Sequence, residues 1–297
     1  MPPAFHTLRV ADIRPAAPDA VAIAFDVPPA LASAYAFVPG QYVTLRATID
    51  GREARRIYSI CSAPGAPLRV GIKRAPGGLF SNWAADALRP GDPIDVMTPD
   101  GRFVLPPADG RPRVLAAFAA GSGITPILAI AAAALESEPG TEVFLFAGNR
   151  STASIMFREE IEDLKDRHPA RLSVFHALSR EAQDLPALNG RLDAAKIGLL
   201  LRTVLPAAAI DHAFVCGPQP MIEDAAAALR GAGVPDARVR VERFTPSADA
   251  RPAPPPPRPD APPACVATAI HDGARFDFPV AAGEALIDAA LRAGRDL

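Results

Sequence analysis

From Val114 to Leu135 the chain carries no charged side chain, VLAAFAAGSGITPILAIAAAAL, and this run limits what the molecule can become. A segment of that length and hydropathy either crosses a bilayer or lies inside a folded core. Its middle, GSGITP, decides between them, because two glycines and a proline end one element and begin another. The expectation is a buried strand, a turn and a buried helix.

Around that run the chain has the make-up of a soluble globular protein of about two domains. It has 297 residues, 49% of them hydrophobic and 22% charged. A formal net charge of -2, with acids and bases interspersed, provides no field to gather nucleic acid or anionic lipid, and neither is expected as a partner. The cysteines Cys61, Cys216 and Cys265 are odd in number and widely spaced, which fits a reducing cytoplasm better than a disulfide framework. The opening MPPAFHTLRVADIRP lacks the charged and apolar regions of a secretory signal.

The period of the pattern changes along the chain. From Phe5 to about Met97 short β-rich runs alternate with Pro and Gly clusters: VAIAFDV, GQYVTLRATI, RRIYSICSAP, LRVGIKR and DPIDVM, with one helix near Leu79–Leu88. This suggests a small β-barrel or sandwich. From Arg113 the runs RVLAAFAA, TEVFLFAG, RLSVFHAL, HAFVCGP and RVRVERF alternate in part with the helical MFREEIEDLKDRH and PMIEDAAAALRGAG. That order implies a parallel sheet with helices on both faces and ligands at the carboxyl ends of its strands. Next, TPSADARPAPPPPRPDAPP is proline at nine of nineteen positions and reads as an extended linker. ACVATAI and ARFDFPV then form a hairpin around a His-Asp-Gly turn, and GEALIDAALRAGRDL a helix with Leu286, Ile287, Ala290 and Leu291 on one face.

Four motifs could carry chemistry. In RRIYSICS, Arg56 and Tyr58 share one face of a strand and Ser59 follows. In GIKRAPGGLFSNW, Gly77 and Gly78 let backbone approach a ligand, and the helix opening at Leu79–Ser81 offers amides to a phosphate. In AAFAAGSGITPI, Gly121 and Gly123 end a strand and Thr125 can cap a helix beginning at Pro126, the geometry of a pyrophosphate cradle. In FVCGPQPMI, Cys216 stands where a strand enters a helix. Each has a purely structural reading as well: a solvated strand, a tight turn, a packed cap and a buried cysteine.

Taken in order, Arg56-x-Tyr58-Ser59, Gly77-Gly78-Leu79-x-Ser81, Gly121-x-Gly123-Ile124-Thr125-Pro126 and Cys216-Gly217-Pro218 resemble the ferredoxin-NADP reductase family over residues 5–244. The resemblance implies a β-barrel flavin domain over 1–108 and an α/β nicotinamide nucleotide domain over 109–245. A Pro-rich linker over 246–263 and the start of a β-grasp [2Fe–2S] ferredoxin domain over 264–297 would follow. It implies FAD, with Arg56 on its phosphate, Tyr58 stacked on the isoalloxazine, Ser59 near N5, and Gly77–Ser81 at the pyrophosphate. Gly121, Gly123 and Thr125 would approach the nicotinamide nucleotide and Cys216 its ring, with Glu242 and Phe244 bordering the flavin face; Ser59, Cys216 and Glu242 form the catalytic set.

Which nucleotide is taken is read from GNRSTAS, where Arg150 and Ser151 stand with no nearby carboxylate. That favours NADPH, while NADH stays open. Reductase, linker and ferredoxin in this order resemble the reductase components that deliver electrons to oxygenases. The segment that would hold every cluster ligand is absent from the residues given, so the cluster is expected only in a longer chain. A stand-alone ferredoxin or flavin reductase and a non-catalytic nucleotide-binding module remain the alternatives.

Overall fold

The computed structural model describes residues 3–244, 265–271 and 274–280, together with 286, 289, 290 and 293. The Pro-rich linker lies outside the described residues, as do Ile287 and Leu291 of the terminal helix.

Six strands form the first sheet: β1 (Phe5–Ala17), β2 (Ala20–Asp26), β3 (Tyr42–Ile49), β4 (Arg52–Ser59), β5 (Arg69–Lys73) and β6 (Pro93–Met97). Their antiparallel order is β4-β3-β6-β1-β2-β5, and a bridge between Ile60 and Val70 brings the two edges together into a barrel. Leu8, Ile23, Val43, Leu45, Ile72 and Val96 fill it, each at most 1% exposed. The longest strand, β1, has no clean alternation and contains Pro15. Register shifts between Val10 and Asp12 and between Pro15 and Ala17 leave Ala11 and Ala16 out of the β1–β2 ladder and let the strand bend, while Pro15 stands opposite Val21. Helix α1 (Leu79–Asp86) lies after β5 and packs Phe80 and Ala84 onto the barrel core.

The second sheet is wholly parallel, in the order β11-β10-β7-β8-β9, built from β7 (Val114–Ala120), β8 (Glu142–Asn149), β9 (Leu172–Leu178), β10 (His212–Cys216) and β11 (Val239–Glu242). The alternation of β7 divides two cores. Leu115, Ala117 and Ala119 meet α2 (Ile124–Ser137) and α3 (Arg158–Arg167), while Ala116 and Phe118 meet α4 (Ala194–Thr203) and α5 (Gln219–Gly231). Ala20, Ala22, Cys61 and Phe103 from the barrel side join the α2–α3 core, so the two sheets share apolar packing. The charge-free run is thus a strand, a turn and a buried helix, and among the described residues no helix is long and apolar enough to cross a membrane.

One local expectation changes. The turn Gly121–Gly123 winds straight into α2, which starts at Ile124 with Gly123 at its cap position. Thr125 therefore lies inside the first turn, donating its hydroxyl to the Ser122 carbonyl at 2.9 Å, instead of capping from outside. Pro126 still falls in the first turn, where its missing N–H leaves nothing unsatisfied.

The C-terminal unit contains a hairpin of β12 (Cys265–His271) and β13 (Ala274–Val280). Phe278 and Val280 bury against Ala289 and Ala290. Leu286, expected on the packed face, is 58% exposed.

Candidate functional site

On β4 the pleat sets Arg56 and Tyr58 opposite the buried Leu45 and Val43 of β3, while Arg55 and Ile57 point outward. The Tyr58 ring lies 5.7 Å from Phe80 of α1, and Phe80 lies 5.4 Å from Trp83, which joins the first two motifs through one aromatic ledge. Burial pushes the Tyr58 hydroxyl above the usual phenol range, against a smaller opposing effect of the Arg56 charge. Arg56 donates Nη1 to the Arg55 carbonyl at 2.6 Å. Ser59, 1% exposed, has a buried Oγ with no hydrogen-bond partner among the described residues. Such an orphan costs about 1–3 kcal/mol unless a ligand or water meets it.

The turn after β5 is shaped for close approach. Gly77 has φ 68 and nothing within 4 Å of where a Cβ would stand; a Cβ on Gly78 would fall 2.6 Å from the Ser81 hydroxyl oxygen. That oxygen accepts the Ala75 amide at 3.0 Å, fixing the turn that leads into α1, whose first amides have no partner within the helix.

At the second sheet the chain order reverses between β7 and β10, and the GSG turn lies against the end of β10. A Cβ on Gly123 would stand 2.1 Å from the Cys216 carbonyl oxygen and 2.8 Å from the Gly217 nitrogen, so only glycine allows this packing. Gly121, at φ 55, faces open space. A cleft of about 710 Å³ opens here, lined by Gly121, Ser122, Arg150, Gly217, Pro218 and Phe244.

Arg150 is exposed at the cleft, and its carbonyl accepts the Arg180 amide at 2.7 Å. The hydroxyl of Ser151 is engaged locally. It caps the Thr152–Ser154 turn, and Ser154, whose Oγ accepts the Ser151 amide at 3.0 Å, lines the cleft where Ser151 does not. Lys73, Ser179 and Arg191 line it too, and the sequence motifs point to none of the three. Arg191 has a signal nonetheless: NGRLD is a glycine turn running into the Asp193 cap of α4, where the Asp193 carboxylate accepts the Lys196 amide at 2.9 Å.

The groups from both sheets converge. Cys216, fully buried, pairs in register with Glu242 of the neighbouring β11. Burial pushes the Glu242 carboxyl up to about 7, and burial together with that carboxylate raises the Cys216 thiol. The hydroxyl of Tyr42, the register partner of Ser59, is raised by burial, then by the charge of Asp100 and, least, by that of Glu242 on the second sheet. Phe244, half-buried, packs on the α2–α3 core. Ser59, Cys216 and Glu242 are thereby brought to one region, as a hydroxyl, a neutral thiol and a carboxyl poised to gain or lose a proton near neutrality.

An orphaned hydroxyl at Ser59, a ledge of rings, and two glycine turns at helix starts fit a bound flavin and a dinucleotide. A barrel with a nucleotide-binding parallel sheet, meeting in this way, defines a flavin- and nicotinamide-nucleotide-dependent oxidoreductase. Residues 8–105 match the oxidoreductase FAD-binding domain family and residues 118–227 the oxidoreductase NAD-binding domain family. The chain is 44% identical over 242 residues to a component of the 1,2-phenylacetyl-CoA epoxidase of Escherichia coli K12, covering 81% of this chain and 68% of that protein. It is 37% identical to the ferredoxin reductase component of 3-ketosteroid-9-alpha-monooxygenase from Mycolicibacterium smegmatis, covering 80% of this chain and 65% of that one. The chain thus spans about two thirds of the length of these relatives. Among solved structures, an Amycolatopsis cytochrome P450 reductase superposes with a TM-score of 0.69 at 28% identity, over 82% of this chain and 71% of that one. The chain belongs to the ferredoxin reductase family of FAD- and NAD-binding oxidoreductases.

Proposed function

We propose that this chain oxidises NADPH and that, in a longer chain that includes the cluster segment, single electrons pass through a ferredoxin domain beginning near residue 264 to an oxygenase component. The names of the first two relatives, a component of an epoxidase and the ferredoxin reductase component of a monooxygenase, support that destination. The domain limits follow the sequence: flavin domain to 108, nucleotide domain over 109–245, linker to 263. When bound, a flavin accepts a hydride from the nicotinamide and releases its electrons one at a time.

The chain's own residues bind and orient. Arg56 holds a flavin phosphate through its fork of donors, the amides at Leu79–Ser81 and the Gly77–Gly78 turn hold the pyrophosphate, and Tyr58 covers one ring face. Ser59 directs its hydroxyl to the flavin edge at N5. Gly121, Gly123 and Thr125 shape the turn that admits the nicotinamide nucleotide, and Cys216 and Phe244 flank its ring. Glu242, titrating near neutrality, holds or yields a proton beside that ring. Arg150 and the neighbouring Ser151–Ser154 turn, with Arg191 and Lys73, offer the cationic donors that a 2′-phosphate requires, in a cleft also lined by Asp193 and Asp224.

The observation that carries this reading is the buried Ser59 hydroxyl, without a hydrogen-bond partner among the described residues, opposite the Tyr42 that feels the charge of Glu242 on the nucleotide sheet. The test is the visible spectrum of the purified chain under anaerobic conditions, before and after NADPH. A flavin spectrum that bleaches is the expected result, with Arg56→Ala purifying at less than half the flavin content. A flavin that NADPH cannot reduce would overturn the reading.

A further inference from the structure

Phe157 sits at the cap of α3 in the left-handed conformation, φ 56 and ψ 34, and is 3% exposed. Among the described residues the other non-glycine residue with positive φ is Asp50, at the exposed β3–β4 turn, where a short polar side chain tolerates it. A buried phenylalanine has no such licence, and its surroundings must hold it there.

They do so from the barrel. The Phe157 amide donates to the Ala16 carbonyl of β1 at 2.8 Å. Its ring lies on Gly71 of β5: a Cβ at position 71 would fall 2.7 Å from Phe157 Cζ and 2.7 Å from Thr125 Cγ2. The Arg69 guanidinium stands 5.6 Å from the ring centroid and makes two bonds, 2.9 and 2.7 Å, to Glu160 in the first turn of α3. Both ends of this contact adjoin a candidate cofactor site. Val70, beside Gly71, bridges Ile60, the residue after Ser59, and Thr125 belongs to the nucleotide turn.

We propose that Phe157 is a positioning residue whose strained backbone seats its ring on β5. It thereby sets the spacing between the flavin site and the nicotinamide site. This rests on the cofactor placements proposed above. The two rings must approach to near contact for a hydride to pass, and a displacement of about 1 Å can cost on the order of a hundredfold in rate. The glycine at 71 and the left-handed residue at 157 are two halves of one contact, which explains why neither position has an ordinary residue or an ordinary backbone.

The test uses Phe157→Gly, which keeps the left-handed backbone without strain and removes the ring. At saturating NADPH, stopped-flow flavin reduction should slow at least tenfold, with flavin content and the Kd for NADPH within twofold of the parent. In the flavin-free protein, amide exchange over 69–73 and 157–161 should accelerate at least tenfold while that over 52–59 stays unchanged. Gly71→Ala, which forces the same contact apart from the other side, should also slow reduction, and the double variant should lose less than the two effects combined. Reduction within twofold of the parent in folded Phe157→Gly, or unaltered exchange, overturns the proposal even though the parent protein reduces normally. A parent flavin that NADPH does not reduce overturns the functional reading, and the proposal with it.

Discussion

Replacing Arg113 by methionine would leave a charge stranded, and the structure sets how much that costs. Arg113 and Glu138 are 4% and 8% exposed, at the point where the chain leaves the barrel and enters β7. The guanidinium donates Nε to Glu138 Oε2 at 3.0 Å, Nη2 to Oε1, and Nη1 to the Pro106 carbonyl at 3.1 Å. Thr141 donates a further bond to Oε2 at 2.9 Å. Without Arg113 the carboxylate keeps only the Thr141 bond. Removing one partner of a buried pair costs about 3–5 kcal/mol. Arg113→Met should therefore lose about 3–5 kcal/mol. Arg113→Met with Glu138→Leu should recover to within about 1 kcal/mol of the parent, because no charge is left to desolvate. Urea unfolding of the flavin-free chain, followed by far-ultraviolet circular dichroism, measures each quantity. A loss below about 1 kcal/mol in Arg113→Met, or a double variant as unstable as the single one, would refute the reasoning.

Arg150→Ala should lower the ratio of kcat/KM for NADPH over NADH about tenfold, with NADH turnover little changed; steady-state kinetics with both nucleotides decide it. Glu242 has its folded-state pKa raised from 4.5 to about 7, so the native state binds its proton more tightly than the unfolded chain. Stability of the flavin-free protein should fall as pH rises across that window, by up to about 3 kcal/mol, and Glu242→Gln should flatten the dependence in urea titrations at several pH values. Gly123→Ala places a methyl 2.1 Å from the Cys216 carbonyl oxygen and should cost about 1–3 kcal/mol along with more than tenfold in NADPH affinity by calorimetry. Gly121→Ala meets only backbone strain, about 1 kcal/mol, and a preserved Tm for Gly123→Ala would count against the packing at the switch point.

The turns are more legible in the sequence than the strands between them. GSGITP announces its elements because glycine and proline act locally, whatever surrounds them. The long β1 does not show itself: its charges at Arg9, Asp12 and Arg14 and its Pro15 break the alternation, and its bulged pairing is decided by β2 and β6. Helix α4, AAKIGLLLRT, is equally hard to read, since a short apolar run does not declare its period. Within the site, Arg56, Tyr58, Gly121 and Gly123 stand in compact motifs that name themselves. Ser179 and Arg191 do not, because they come from separate segments that only the strand order brings to one cleft, and Lys73, though inside GIKRAPGGLFSNW, reads there as part of a strand. The left-handed backbone of Phe157 leaves no mark in the sequence at all.

The space beside Gly71 is taken before any side chain is placed there, by a ring from one element and a methyl from another. For a lineage of such proteins this makes positions 71, 125 and 157 a single heritable trait: none can enlarge without another shrinking in step. Single changes at Gly71 meet a closed door, and variation should enter this junction only as matched pairs.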